Sequence, residues 1–457
     1  MNLSRVAPFK FSLRQPPPAD TLVAGAPLEG QRATAADRND VEGINMAIAE
    51  SPIDLTSESV RQDPFPAYEK VRRHGPVYVD PTSRKKYFGR YAEVREILTD
   101  ADNFSSKVAG VEGTFMGADE DLASVRIKAI RAMVRAALST KKVGALEGFI
   151  SSAAEHSVRS ALRQPVFECR SALSGVVPAG AIGMMFGIEG DNTERFMRWT
   201  EAVLLLGRKA RRTNPTQPGL GVLTRLRSLR RTLMPTRMEA NLSECIAFMR
   251  EHFSQRKGQY VDAWVAESML TYAEANELDA EGMIDIALGF MVAAAESTTS
   301  LVTSSVLILA RQPEFQEYIR TGDHATALFV DEVLRYESPV QRRQRAVRTD
   351  CEVSGVPMKR GEIITLLVGS ANRDVEVFAN ADRFDHERNP NPHLAFGMGP
   401  RSCPGSQLGR LEVCAVLRAL VQQTNRFELA RPSELLRYPS YISLRGPREL
   451  YVQSAAE

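Results

Sequence analysis

The stretch from His393 to Glu412, HLAFGMGPRSCPGSQLGRLE, combines a cysteine with the conditions that make a thiol reactive. Cys403 is followed by Pro404, the favoured first residue of a helix, so we expect this cysteine at a helix N-terminus. There the helix dipole and the free N–H groups favour the thiolate, the form that binds a metal or attacks an electrophile. Four glycines between Gly397 and Gly409 allow the backbone to approach something flat and bulky. A buried structural cysteine is the alternative, but the flanking glycines favour a chemical role.

Two pairs of polar residues elsewhere in the chain also suggest a function. Glu332 and Arg335 lie three residues apart and share a helix face. The simplest interpretation of that pair is a surface ion pair worth only tenths of a kcal/mol. Glu296 and Ser297 lie in a long apolar stretch. A buried carboxylate costs free energy unless it is paired or hydrated, so we interpret Glu296 as a residue that relays protons.

The cysteine stretch resembles the haem-binding signature of the cytochrome P450 family. Its residues Phe396–Gly405, FGMGPRSCPG, match the pattern F-x-x-G-x-R-x-C-x-G at every fixed position. Glu332 and Arg335 resemble the ExxR pair of that family, and Arg383 falls where the third member of a Glu-Arg-Arg cluster is expected. The resemblance implies that these three side chains are buried together and hold the irregular segment before the cysteine.

The resemblance further implies that haem b is the cofactor and that Cys403 is the ligand of its iron. Phe396, Gly397 and Gly405 would belong to the loop that binds the cofactor. A cysteine thiolate on haem iron favours cleavage of the O–O bond of dioxygen, whereas histidine usually suits carriage or peroxidase chemistry. The identity of the ligand therefore decides the reaction.

The two propionates of haem require donors that form paired hydrogen bonds with carboxylate, a role to which arginine is suited. From the family pattern we expect Arg401, Arg345 and Arg131 to bind them. The family usually places a histidine four residues before the last of these arginines, and this chain has Ile127 there. One propionate is therefore expected to lose a donor.

The apolar stretch around Glu296 resembles the oxygen-activation segment of the family, commonly A-G-x-D/E-T. Ser297 is expected at the position of the threonine, and Ala294 at that of the glycine. A serine hydroxyl can still pass on protons, but it lacks the methyl group that restricts χ1 in threonine. We therefore expect proton delivery to persist with less control.

The elements that position these residues are mainly helical. The pattern predicts an α+β fold, mainly α with small β-sheets, in a single domain. A helix that contains Tyr68 and Val71 is followed by a hairpin, residues 77–89. The longest predicted helix, Ala280–Arg311, is closed by Pro313 and would extend about 45 to 50 Å. A second helix is predicted over Ala325–Tyr336. The family resemblance places the long helix over the haem.

Composition excludes several other classes of protein. The chain has 457 residues, of which 43% are hydrophobic and 25% charged, so it is expected to be globular. A net charge of +2 gives no reason to expect nucleic acid as a partner. Five cysteines without a CxxC pair favour a reducing, cytoplasmic location. The longest apolar run, Ile286–Ala295, is too short for a bilayer, so we predict no transmembrane helix.

Two segments stand apart from this pattern. Residues 1–60 lack the apolar core of a signal peptide and are expected to form an irregular leader before a catalytic domain over residues 61–457. Residues 208–237 contain nine Lys or Arg and no Asp or Glu. The simplest interpretation of this basic segment is a solvated loop. The alternatives are recognition of an anionic substrate or carrier, or attraction to an anionic membrane surface.

We therefore predict a haem-thiolate monooxygenase of soluble bacterial type that inserts one oxygen atom from dioxygen into an organic substrate. Ser297 and Glu296 would be its catalytic residues. Ferredoxin and ferredoxin reductase, or a similar donor, would supply electrons because no reductase or flavin motif is present. The alternative is a haem-thiolate oxidase that performs oxidative coupling, dehydration or peroxide-driven oxidation on an anionic or carrier-bound substrate. A haem-based sensor is a third, non-enzymatic hypothesis.

Overall fold

A computed structural model describes residues 52–106, 125–187, 195–196, 198–199, 202, 236–254, 264–275, 280–439 and 443–455. The elements given below belong to the unit Ile53–Glu457. The predicted leader and the basic segment lie largely outside the described residues.

Helices make up most of the regular structure in the described part of the chain, as predicted. Their bounds are α1 Glu58–Gln62, α2 Phe65–His74, α3 Tyr91–Thr99, α4 Val125–Ala137, α5 Thr140–Ala145, α6 Glu147–Ala161, α7 Val176–Met185, α8 Thr236–Ser254, α9 Trp264–Ala275, α10 Ala280–Arg311, α11 Pro313–Arg320, α12 Asp323–Tyr336, α13 Val368–Ala371 and α14 Ser406–Gln423. A π-helical turn covers Arg170–Ser174, and 3₁₀ turns cover Gly399–Arg401 and Ser433–Leu435.

The strands form small sheets. Their bounds are β1 Tyr78–Val79, β2 Lys86–Phe88, β3 Phe104–Ser105, β4 Val166–Glu168, β5 Arg343–Val347, β6 Cys351–Val353, β7 Val356–Met358, β8 Ile363–Leu366, β9 Phe427–Leu429 and β10 Tyr451–Ser454. The largest sheet has the order β1-β2-β8-β5-β3, with β2 and β8 parallel. A second sheet has the strand order β4-β10-β9, and β6 pairs with β7 in a two-stranded sheet. The predicted hairpin is confirmed, since Tyr78 pairs with Tyr87.

Helix α10 forms much of the core and has the predicted bounds. Its 32 residues correspond to about 48 Å at 1.5 Å per residue. Ile284, Leu288 and Leu301 are almost completely buried in it. By length and composition the part Ile286–Arg311 could cross a membrane, but 71% of its apolar window is buried inside the protein. We therefore interpret α10 as a core helix rather than a membrane span.

Helix α14 begins later than the position of Pro404 suggested. Gly405 caps the helix without a side-chain hydrogen bond, and the first helical residue is Ser406. Cys403 therefore lies three residues before the helix. Gly405 still directs its backbone N–H towards the cysteine and lowers the pKa of the Cys403 thiol, though by less than burial raises it.

Candidate functional site

The loop that carries Cys403 is shaped by glycines. Gly397 and Gly399 have φ angles of +69° and +71°, which other residues adopt only with strain. A Cβ atom on Gly399 would lie 3.0 Å from the Cα atom of Thr99 in α3, so the loop packs directly on that helix. The N–H of Cys403 donates to the carbonyl oxygen of Phe396 at 2.8 Å and closes the loop.

The Cys403 side chain is exposed to solvent yet surrounded by enough protein for burial to raise the pKa of its thiol. The guanidinium groups of Arg343, Arg410 and Arg131 act in the opposite direction and favour the thiolate. A metal cation can replace the proton of such a thiol, because metal ligation requires the deprotonated form.

Two of the arginines predicted to bind propionate have buried nitrogen atoms without a partner among the described residues. Arg345 is 6% exposed, and its Nε is one of these atoms. Burial, followed by the charges of Arg401 and Arg343, lowers the pKa of Arg345 to about 9. The second such atom is the Nε of Arg131. Like charges gathered in a buried position require an anion, and the carboxylates of haem fit this need.

Arg131 also contacts the cysteine loop directly. Its Nη2 donates to the carbonyl oxygens of Pro400 at 2.9 Å and of Ser402 at 3.4 Å. The side chain at position 127, where the family usually has histidine, lies outside the described side chains. The expected loss of a propionate donor therefore stays a prediction.

Helix α10 presents one accessible face beside its buried ones. Ala293 is exposed and Ser297 is half-buried, although the helix is otherwise mostly buried. The hydroxyl of Ser297 donates to the carbonyl oxygen of Ala293 at 2.9 Å. Thr298 is 8% exposed and turns towards α14, where it hydrogen bonds with Glu412. This arrangement supports the assignment of Ser297, rather than Thr298, to the accessible side of the helix.

The Glu332–Arg335 pair is a buried pair, not a surface one. Both side chains are 0% exposed. Arg335 donates through Nε and Nη2 to the two carboxylate oxygens at 2.8 and 2.7 Å. Its Nη1 donates to the carbonyl oxygens of Asn372 and Ala381 at 2.9 and 2.7 Å. Arg335 therefore links α12 to the irregular segment that leads to Cys403.

The third arginine of this cluster is Arg388, so the assignment of Arg383 was wrong. Arg383 is exposed, and among the described residues its contact with this cluster is made by its carbonyl oxygen, which accepts from Arg335 at 3.0 Å. The Nε of Arg388 lies 3.2 Å from Oε2 of Glu332. The reason is geometric: the irregular chain turns the side chain of Arg383 to solvent and returns five residues later with Arg388 facing the carboxylate. The Nδ2 of Asn391 also donates to Glu332, at 3.1 Å.

Sequence reasoning also missed a polar network beneath the loop. Arg410 donates through Nε to Asp331 at 2.6 Å and lies 4.6 Å above the ring of Phe396. Phe396 is the residue whose carbonyl oxygen accepts from Cys403. Asp331 and Arg410 are 79 residues apart in the chain, so no local sequence pattern predicts their contact.

Comparison with known proteins agrees with this geometry. A family model described as Cytochrome P450 matches residues 324–439. The chain is 27% identical over 387 residues to Cytochrome P450 109 of Bacillus spizizenii, a match that covers 84% of this chain and 90% of that protein. It is 27% identical over 405 residues to the Epothilone C/D epoxidase of Sorangium cellulosum, covering 84% and 91%.

The fold also matches solved structures. One is P450BioI in complex with an acyl carrier protein that carries hexadec-9Z-enoic acid, with a TM-score of 0.72 and 24% sequence identity. That match covers 87% of this chain and 99% of the other. The sequence motifs, the loop around Cys403, the buried ExxR pair and these similarities lead to one assignment. This chain belongs to the cytochrome P450 family.

Proposed function

We propose that Cys403 holds the iron of haem b in this monooxygenase, and that Ser297 and Glu296 manage protons while one oxygen atom from dioxygen enters an organic substrate. The class of reaction follows from the family, and relatives named as hydroxylases and epoxidases agree with it. The observation that carries the residue assignments is the accessible Cys403 thiol within a glycine loop and close to three guanidinium groups.

The chain's own residues would divide the work as follows. Haem with a thiolate ligand supplies the activation of dioxygen and favours O–O cleavage. Arg345 and Arg131 hold buried Nε atoms ready for carboxylates, while Arg401 raises the local positive charge beside Arg345. Ser297 places a hydroxyl on the accessible face of α10, next to the half-buried Glu296. A positioned hydroxyl and carboxylate can exchange protons through water.

The reaction uses dioxygen and electrons from a separate redox partner. We assign ferredoxin and ferredoxin reductase, or a similar donor, to that role and the cytoplasm as the location. The nine basic residues between positions 208 and 237 motivate an anionic or carrier-bound substrate. The structure of a relative with a fatty acid on an acyl carrier protein gives a precedent for a carrier. The named hydroxylases and epoxidases favour monooxygenation over oxidative coupling or dehydration.

The ligand assignment is tested by the reduced carbonyl complex. Thiolate ligation gives this complex a strongly red-shifted Soret band, so the wild type should show it and Cys403→Ala should lose it. Cys414→Ala is the matched control, because Cys414 is a buried free cysteine on α14. A band that survived in Cys403→Ala and disappeared in Cys414→Ala would refute the assignment.

A further inference from the structure

Arg135 is an exposed arginine of α4 whose guanidinium group reaches the loop of Cys403. Its Nη2 donates to the carbonyl oxygen of Pro400 at 2.8 Å. Arg131, one turn earlier on the same helix face, donates to the same oxygen at 2.9 Å. Pro400 belongs to the 3₁₀ turn that leads to the cysteine. Two arginines of one helix therefore converge on a single carbonyl group three residues before the proposed iron ligand.

This convergence brings two like charges together. Burial, and then the charge of Arg135, lowers the pKa of Arg131. Two solvated arginines without a common acceptor would avoid this repulsion by turning apart. A carbonyl oxygen has two lone pairs and can accept from both donors, and hydrogen bonds from a charged donor are stronger than neutral ones. The Pro400 oxygen therefore compensates for the repulsion.

The same turn is also held by close packing. Gly399 lies against Thr99 of α3, with space for no larger residue. Packing on α3 and the hydrogen bonds from the arginines of α4 thus both restrain the turn. Inside the loop, one backbone hydrogen bond from Cys403 to Phe396 sets the position of the cysteine.

We propose that Arg135 is a positioning residue for the iron ligand, which it fixes by fastening the Pro400 carbonyl to α4. Arg135 and Arg131 then both hold the loop through their hydrogen bonds to the Pro400 carbonyl oxygen. Arg131 keeps its buried Nε, which has no partner in the described part of the chain, available for a carboxylate of the cofactor. This inference rests on the proposed function, because it takes Cys403 as the ligand.

The test follows the thiolate-specific band of the reduced carbonyl complex over time in haem-loaded protein, without any electron-donor protein. Loss of one hydrogen bond should let the band of Arg135→Leu decay about two- to ten-fold faster than that of the wild type. Arg135→Lys should restore most of the stability, since its ammonium group can still donate to Pro400. Amide hydrogen exchange over residues 396–403 should accelerate in Arg135→Leu by a similar factor.

Arg159→Leu is the control, because it removes an equal charge from the exposed last turn of α6. It should leave the decay and the exchange at wild-type rates. The inference is overturned if Arg135→Leu matches the wild type in both measurements, or if Arg159→Leu changes them equally. A band that persists in Cys403→Ala would instead overturn the proposed function. The two failures are therefore distinguishable.

Discussion

Replacing Glu412 by glutamine should change how the stability of this protein depends on pH. Glu412 lies on α14 and is 1% exposed. Its Oε1 has no partner among the described residues, and its carboxyl group hydrogen bonds with Thr298 of α10. Burial raises the pKa of Glu412 to about 8, and the Thr298 hydroxyl lowers it by less. The side chain is therefore an uncharged acid at neutral pH.

The sign of the effect follows from the difference between the folded and unfolded states. An unfolded glutamic acid has a pKa of about 4.3. The protonated carboxyl group of Glu412 therefore makes its full contribution to the free energy of unfolding below about pH 4.3. This contribution is lost as the pH rises through about 8, the pKa of the folded state. Each unit of difference between the folded and unfolded pKa values corresponds to about 1.36 kcal/mol. The difference between about 8 and about 4.3 therefore lowers the free energy of unfolding by up to about 5 kcal/mol. At about 2.1 cal/mol/K of unfolding entropy per residue, this corresponds to a Tm shift of about 5 °C.

Thermal unfolding of the haem-loaded protein, followed by circular dichroism, measures this difference. Wild type and Glu412→Gln should have similar Tm values near about pH 5, and Glu412→Gln should be more stable by about 5 °C near about pH 9. Glu251→Gln, at an exposed position of α8, should follow the wild type throughout. Parallel Tm curves for wild type and Glu412→Gln across this range would refute the reasoning.

Two further predictions concern the ExxR pair and the hydroxyl of α10. Glu332→Ala leaves the buried Arg335 without its main anion, which typically costs about 3–5 kcal/mol, so the haem content of the purified protein should fall sharply. Normal haem incorporation would contradict this prediction. Ser297→Ala should keep haem and substrate binding but yield less product per electron, because a positioned proton donor raises the rate of a proton-transfer step about 10²–10⁴-fold. Ser297→Thr should restore the yield of product per electron, because threonine also carries a hydroxyl and its χ1 is more restricted. Full coupling in Ser297→Ala would assign proton delivery to another group.

The strongest sequence predictions were those that rest on local chemistry. The bounds of α10 could be predicted because an uninterrupted apolar helix ends where Pro313 removes a backbone donor. The loop around Cys403 was identified from its motif and its closely spaced glycines, and in the structure Gly397 and Gly399 have positive φ angles. The start of α14 was misjudged by two residues, since Pro404 also fits the turn before a helix.

The sequence by itself determined the family, the helical class of the fold and the cysteine expected to bind iron, because these depend on residue types at fixed short spacings. Tertiary structure alone decided which distant groups meet. Glu332 pairs with Arg388 rather than Arg383, and Arg135 shares the Pro400 carbonyl with Arg131. Irregular backbone between helices sets the direction of these side chains, and the burial that changes their charge exists only in the packed protein.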